Sequence, residues 1–100
     1  MQLPGKVKVG GIVYTVHIVL APSEYNRNLV GHIDYSTQEI KIREGMGEDY
    51  TNQVFFHELF HAMYECCGID QDEGNIDRLA HCLYQILKDN EISFHGKARK

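Results

Sequence analysis

Two histidines and a glutamate in the middle of the chain have the types and spacing of a metal-dependent hydrolytic site. They are His57, Glu58 and His61, in the sequence His-Glu-Leu-Phe-His. Residues four apart on an α-helix lie on one face, about one turn from each other, so the two imidazoles can bind one Zn²⁺ from the same side. Glu58 would lie beside the ion, where its carboxylate can take a proton from a water. We therefore predict His57 and His61 as metal ligands and Glu58 as the catalytic general base.

The residues around this polar trio are almost all apolar: Val54, Phe55, Phe56, Leu59, Phe60, Ala62 and Met63. A helix that is apolar nearly all round is a buried one. Buried polar groups without a partner are costly, and metal ligation would supply that partner. The alternative interpretation is that His57 and His61 are satisfied histidines of the core or of a cleft edge.

A third ligand is expected, because a catalytic zinc ion usually has three protein ligands and one water. Glu73 and Asp77 are four apart and share one face of a second predicted helix. We predict Glu73 as the ligand. Asp77 would be an outer partner that accepts a hydrogen bond from a ligand histidine, or an alternative ligand. The competing interpretations are Asp72 or a cysteine such as Cys66 as the ligand, no third ligand at all, and a capping box with Asp70 as N-cap and Glu73 at its third position.

The composition indicates one domain, residues 1–100, with a single small core. The chain has 100 residues, of which 43% are hydrophobic, and a net charge of −4. The sequence shows no stripe of basic residues, the feature that would favour nucleic-acid binding. The first 20 residues lack the apolar region of a secretory signal, and no apolar run reaches transmembrane length. We expect no nucleic-acid partner and no membrane association, and the oligomeric state stays open.

The cysteines favour a reducing compartment. Cys66, Cys67 and Cys82 are odd in number and two are adjacent, which is not a disulfide framework. We therefore expect a cytoplasmic protein, with the cysteines as small buried residues near the helices.

The secondary structure is predicted to be mainly β in residues 1–47 and helical afterwards. Runs of β-branched residues on both sides of Gly10-Gly11 predict a first hairpin. The segments 30–35 and 39–43 predict a second hairpin, in which Gly31, His32 and Tyr35 could approach a cleft. The prediction for the sheet is therefore a small antiparallel one made of two hairpins.

Two antiparallel helices are predicted to follow the sheet. The first, the active-site helix, covers 48–67 and ends before Gly68, a residue suited to a helix C-terminus. The second covers 70–90, with its start between 70 and 73 and with apolar residues at helical spacing. The short connection makes the two helices neighbours, and 91–100 is predicted to be a tail.

Together these motifs resemble a known family. His57-Glu58-Leu59-Phe60-His61 followed by Glu73-Gly74-Asn75-Ile76-Asp77 looks like the gluzincin pattern, HExxH and then ExxxD. The layout of residues 30–88 resembles that of small phage and prophage proteins related to the ImmA/IrrE metallopeptidases. The second helix of that family carries Glu-x-x-Ala-Asn-x-Phe-Ala, and the corresponding residues here are Glu73, Ile76, Asp77, Leu79 and Ala80.

The resemblance implies an α+β, minimal zincin-like fold in which a small antiparallel sheet packs on the HExxH helix and a second helix. It also implies Zn²⁺ at two histidines and a glutamate, and hydrolysis of a peptide or protein substrate by an enzyme associated with a phage or mobile element. A non-catalytic, zinc-stabilised protein-interaction module on the same fold is the alternative. The transition-state electrophile is left open among Tyr35, Tyr50, Tyr84 and His95.

Overall fold

The computed structural model describes residues 2–90 and 92, and it confirms an α+β architecture of four strands followed by two helices. The elements are β1 (Lys6–Val9), β2 (Ile12–Val19), β3 (Gly31–Asp34), β4 (Glu39–Arg43), α1 (Glu48–Cys67) and α2 (Glu73–Asp89). Apart from Ile92, the predicted tail 91–100, including the candidate His95, lies outside the described residues.

The sheet contains both predicted hairpins, but it is mixed rather than antiparallel. The strand order is β1-β2-β4-β3, and β2 pairs with β4 in parallel, from Thr15 opposite Glu39 to Val19 opposite Arg43. After β2 the chain crosses to the far edge, forms β3 there, and returns through β4 into the centre of the sheet. This central position buries the side chains of Ile40 and Ile42 completely. The prediction of an antiparallel sheet was wrong because the two hairpins are joined side by side through parallel strands.

One face of the sheet is covered by α1, and α2 packs on the side of α1 away from the sheet. The hydrophobic core of these three layers is formed by Tyr14, Ile40, Ile42, Val54, Phe55, Phe56, Ala62, Ala80 and Tyr84. At the edge strand β3 the backbone comes unusually close to α1. A Cβ atom on Gly31 would lie 2.5 Å from Val54 Cγ1 and 3.0 Å from Glu58 Oε2. Only glycine leaves room for this approach without a shift of one element.

The two helices begin and end at residues with clear capping roles. Two acidic residues occupy the first turn of α1, where their charges interact favourably with the positive end of the helix dipole. Gly68 ends the helix with a left-handed φ of 69°. The N-cap of α2 is Asp72, whose Oδ1 accepts from the backbone N–H of Asn75 at 3.1 Å. The alternative capping box on Asp70 was therefore wrong, because the side chain of Asp72 caps the helix; Glu73 is its first residue, at the end of the predicted range 70–73 for the helix start.

A polar cluster joins the first turns of α1 to the last turns of α2, and we call it the helix latch. The buried Asn52 donates to the Tyr84 hydroxyl at 3.1 Å, and that hydroxyl donates to Asp49 Oδ1 at 2.6 Å. Lys88 Nζ lies 3.0 and 3.1 Å from the two Asp49 oxygens. The hydrogen bonds from Tyr84 and Lys88 hold the pKa of Asp49 below its usual range. The latch fixes one end of the antiparallel helix pair, and the connection 68–72 fixes the other.

The positions of the cysteines on α1 and α2 correct one further expectation. All three cysteines are exposed rather than buried, because Cys66 and Cys67 lie in the last turn of α1 and Cys82 lies on the outward face of α2. Within residues 2–90 and 92, neither helix combines the length and the apolar character needed to cross a membrane.

Candidate metal centre

The structure brings His57, His61 and Glu73 together at one point between α1 and α2. Nε2 of His57 lies 3.0 Å from Glu73 Oε1, and Nε2 of His61 lies 2.8 Å from Glu73 Oε2. One ligand atom from each of the three residues falls within 4.8 Å of the others. The group could therefore hold a metal ion, with both imidazoles facing the same carboxylate through the same type of ring nitrogen.

Two features of the backbone create this convergence. His57 and His61 are four residues apart on α1, and their rings lie 5.0 Å from each other, centroid to centroid. The connection 68–72 then reverses the chain, so that the first residue of α2 is delivered opposite them. The carboxylate of Glu73 is also stabilised there by the positive end of the α2 dipole. The side chain of Glu73 is 70% exposed, whereas those of His57 and His61 are 24% and 13% exposed. The group is therefore open to solvent on the side of α2.

Each histidine has a further polar neighbour at its second ring nitrogen. Nδ1 of His57 lies 3.4 Å from Asp77 Oδ1, which places Asp77 as an outer neighbour of the group rather than a member of it. Nδ1 of His61 lies 2.6 Å from Gln71 Oε1. The sequence reasoning did not identify Gln71. The only signal that could have found it is its place in the short connection, two residues before Glu73.

Glu58 lies beside the group but is buried, with 7% of the residue exposed. Burial raises the pKa of its carboxyl; the nearby His57 and His61 lower it, and the charge of Glu73 raises it further. The absent side chain of Gly31 leaves space for the Glu58 carboxylate, since a Cβ there would be 3.0 Å from Oε2. A carboxylate that burial makes more basic is a better proton acceptor than an exposed one.

A cavity of about 720 Å³ opens directly onto these residues. Its walls come from the edge strand β3 with its flanking residues, the part of α1 from Tyr50 to His61, Gln71 of the connection, and the start of α2. The predicted approach of Gly31, His32 and Tyr35 to a cleft is confirmed, because all three line this cavity. Its lining also includes the apolar side chains of Leu29, Val30, Ile33 and Val54.

The four candidate electrophiles are separated by their positions. Tyr35 and Tyr50 line the cavity, and the Tyr35 hydroxyl donates to the main-chain oxygen of His61 at 3.3 Å. Burial, with smaller contributions from nearby negative groups, raises the pKa of Tyr35 to about 12, so its hydroxyl remains protonated at neutral pH. Tyr84 belongs to the helix latch, and His95 lies outside the described residues.

The alternative third ligands are placed elsewhere. Asp72 caps α2, and no cysteine of residues 2–90 joins the group of His57, His61 and Glu73. Instead, the Cys66 side chain packs against Gly10 in the turn between β1 and β2. No protein-family model, curated protein or solved structure matches the chain.

Proposed function

We propose that the chain is a zinc-dependent metallopeptidase with a minimal zincin-like fold, and that the ImmA/IrrE-like motifs reflect this activity. One observation carries the proposal. Two imidazoles and the Glu73 carboxylate converge beside the buried Glu58, at the wall of an open cavity. The proposal includes a cytoplasmic location and an association with a phage or mobile element, as the resemblance implies.

The donor atoms suit zinc better than a hard cation. His57 and His61 would hold the ion through Nε2, and Glu73 would hold it through its carboxylate. Two nitrogens and one carboxylate oxygen form a ligand set found in catalytic zinc sites, whereas Mg²⁺ and Ca²⁺ prefer oxygen ligands alone. A bound Zn²⁺ supplies a water of lowered pKa and a Lewis acid for a carbonyl oxygen.

Glu58 has the position of the proton acceptor in this reaction. Its carboxylate is fixed between α1 and β3, so it faces the cavity in a restricted orientation. During hydrolysis it would accept a proton from the attacking water and deliver it to the nitrogen of the leaving amine. Gly31 and Val54, which pack around it, would limit the access of bulk water to that carboxylate.

The edge strand β3 supports a peptide as the substrate. β3 lies at one edge of the sheet, and its residues form one wall of the cavity. An extended peptide can pair with such an edge through main-chain hydrogen bonds, and neighbouring pockets can then select its side chains. A peptide held there would have its backbone beside the histidines and one side chain near the apolar wall of Val30, Ile33 and Val54.

The alternative function, a zinc-stabilised interaction module without turnover, would use the same ligands. Structural zinc sites are closed by four protein ligands, whereas catalytic sites keep an open position. The open cavity and the exposed Glu73 favour the catalytic interpretation.

The test combines metal content with peptide hydrolysis. Purified wild-type protein should contain about one zinc per chain, and Glu73→Ala should lose far more zinc than Asp77→Ala, because Glu73 alone belongs to the ligand group. A library of peptides should be cleaved by the wild type and not by Glu58→Gln, with zinc retained in that variant. Zinc binding without cleavage would support the interaction module, and absence of zinc even after its addition would exclude both functions.

A further inference from the structure

The side chain of Gln71 contacts two different groups of His61. Its Oε1 lies 2.6 Å from Nδ1 of the imidazole, and its Nε2 donates to the main-chain oxygen of His61 at 3.3 Å. One planar amide on the connection between the helices therefore binds both the ring and the backbone of the same residue. Such a pair of contacts restricts the ring orientation more than a single hydrogen bond would.

The two contacts together determine the orientation of the Gln71 amide and the ring nitrogen of His61 that carries the proton. A main-chain carbonyl only accepts hydrogen bonds, so the amide NH₂ of Gln71 must face the His61 oxygen. The amide oxygen then faces Nδ1, and because that oxygen also only accepts, Nδ1 must carry the proton. In the neutral imidazole, Nε2 is then the atom with a free lone pair. It lies 2.8 Å from Glu73 Oε2, and since both atoms are then acceptors, a cation shared between them would hold them at this distance.

We infer that Gln71 is a positioning residue, which holds the imidazole of His61 in the tautomer and orientation needed for metal binding through Nε2. This inference rests on the metal site of the proposed function. Hydrogen-bond partners of ligand histidines commonly have this role, and their loss costs about 10- to 100-fold in metal affinity. The two ligand histidines are supported differently, because His57 has the carboxylate of Asp77 at 3.4 Å and His61 has a neutral amide at 2.6 Å.

The first measurement is zinc affinity, determined by competition with a chromophoric chelator. Four forms of the full chain are compared: the wild type, Gln71→Ala, Gln71→Glu and Gln85→Ala. Gln85 is an exposed glutamine of α2 and serves as the matched control. Gln71→Ala should bind zinc about 10- to 100-fold more weakly. Gln71→Glu keeps an acceptor for Nδ1 and should recover most of the affinity, and Gln85→Ala should match the wild type.

The second measurement reports the tautomer directly and would not respond to a general loss of stability. Long-range ¹H–¹⁵N spectra of the histidine side chains should place the proton of His61 on Nδ1 in the wild type. In Gln71→Ala that proton should exchange faster with water, while far-UV circular dichroism remains that of the wild type.

The two failures are distinguishable. Unchanged zinc affinity in Gln71→Ala, with a wild type that binds one zinc, would overturn the role of Gln71 and leave the proposed metallopeptidase intact. A wild type that binds no zinc would overturn the site and this inference together.

Discussion

Replacing Gly31 by alanine tests the close approach of β3 to α1, on which the position of Glu58 depends. The added Cβ would lie 2.5 Å from Val54 Cγ1 and 3.0 Å from Glu58 Oε2, against about 3.5–4.0 Å for an unstrained carbon–carbon contact. About 1 Å must therefore be regained by movement of β3 or α1. Val54 is buried and β-branched, so its side chain has few alternative rotamers.

Two opposing effects decide the sign of the change in stability. The φ angle of Gly31 is not positive, so alanine is compatible with its backbone, and a compatible Gly→Ala change stabilises a protein by about 0.4–1 kcal/mol. Overpacking of a well-filled site costs about 1–3 kcal/mol. The steric cost is larger, and we expect Gly31→Ala to lower the free energy of unfolding by roughly 1–2 kcal/mol. For a chain of 100 residues this corresponds to a fall in Tm of about 4–16 °C.

The assay is thermal and urea unfolding of Gly31→Ala, with Gly5→Ala as the matched control. A Cβ on Gly5 meets nothing within 4 Å, so that variant should be as stable as the wild type or slightly more stable. The stability cost of Gly31→Ala should be smaller in a Val54→Ala background than in the wild type, because Val54→Ala removes the Cγ1 atom that the new Cβ would meet. If Gly31→Ala matched Gly5→Ala in stability, β3 would not lie this close to α1. Glu58 would then not depend on a glycine at position 31 for its space.

Three other predictions follow from the site and the latch. Removal of zinc by a chelator should lower Tm by about 10–20 °C, since ligand at 100 times its Kd contributes about 2.7 kcal/mol; an unchanged Tm would exclude a bound metal. Tyr35→Phe should lower kcat by about 100-fold if the Tyr35 hydroxyl stabilises the oxyanion, with zinc content retained; Tyr25→Phe, at a tyrosine that is 98% exposed and does not line the cavity, is the control, and an unaltered kcat for Tyr35→Phe would remove Tyr35 from the reaction. The depressed pKa of Asp49 predicts that its carboxylate stabilises the fold above the usual Asp range and that this contribution is lost as pH falls through the folded pKa; the difference in urea stability between wild type and Asp49→Asn should therefore be largest near pH 7 and shrink as pH falls below about 3.9, and an equal difference at all pH values would contradict the assignment.

The part of the site that depends on local helix geometry could be predicted from sequence. His57 and His61 are neighbours because any α-helix brings residues four apart together, and the short connection brings α2 back past them. Glu73 therefore joins them as predicted. The bounds of α1 and β4 also match the prediction, because Gly68 marks the end of the helix and the alternation around Ile40 and Ile42 marks the strand.

The parts that depend on the path of connecting segments could not be predicted. Strand order has no local period, so the parallel pairing of β2 with β4 was missed although every strand was found. The contact of Gln71 with His61 depends on the conformation of the residues after Gly68. The start of α2 depends on which of several acidic residues supplies the N-cap, and in the structure Asp72 does so by accepting a hydrogen bond from the Asn75 N–H.

The parallel pairing of β2 with β4 also has a consequence for the order of folding. Its partners, such as Thr15 and Glu39, are 24 positions apart in the chain, whereas partners at the turn of the first hairpin, Val9 and Ile12, are three apart. Closing the longer loop costs more chain entropy, so pairings that are distant in sequence form later. The candidate metal ligands lie on two consecutive helices, and they can come together before the sheet is complete. We expect pulse-labelling hydrogen exchange to show α1 and α2 protected before the β2–β4 ladder, so that the candidate ligand group forms before the two hairpins are joined into one sheet.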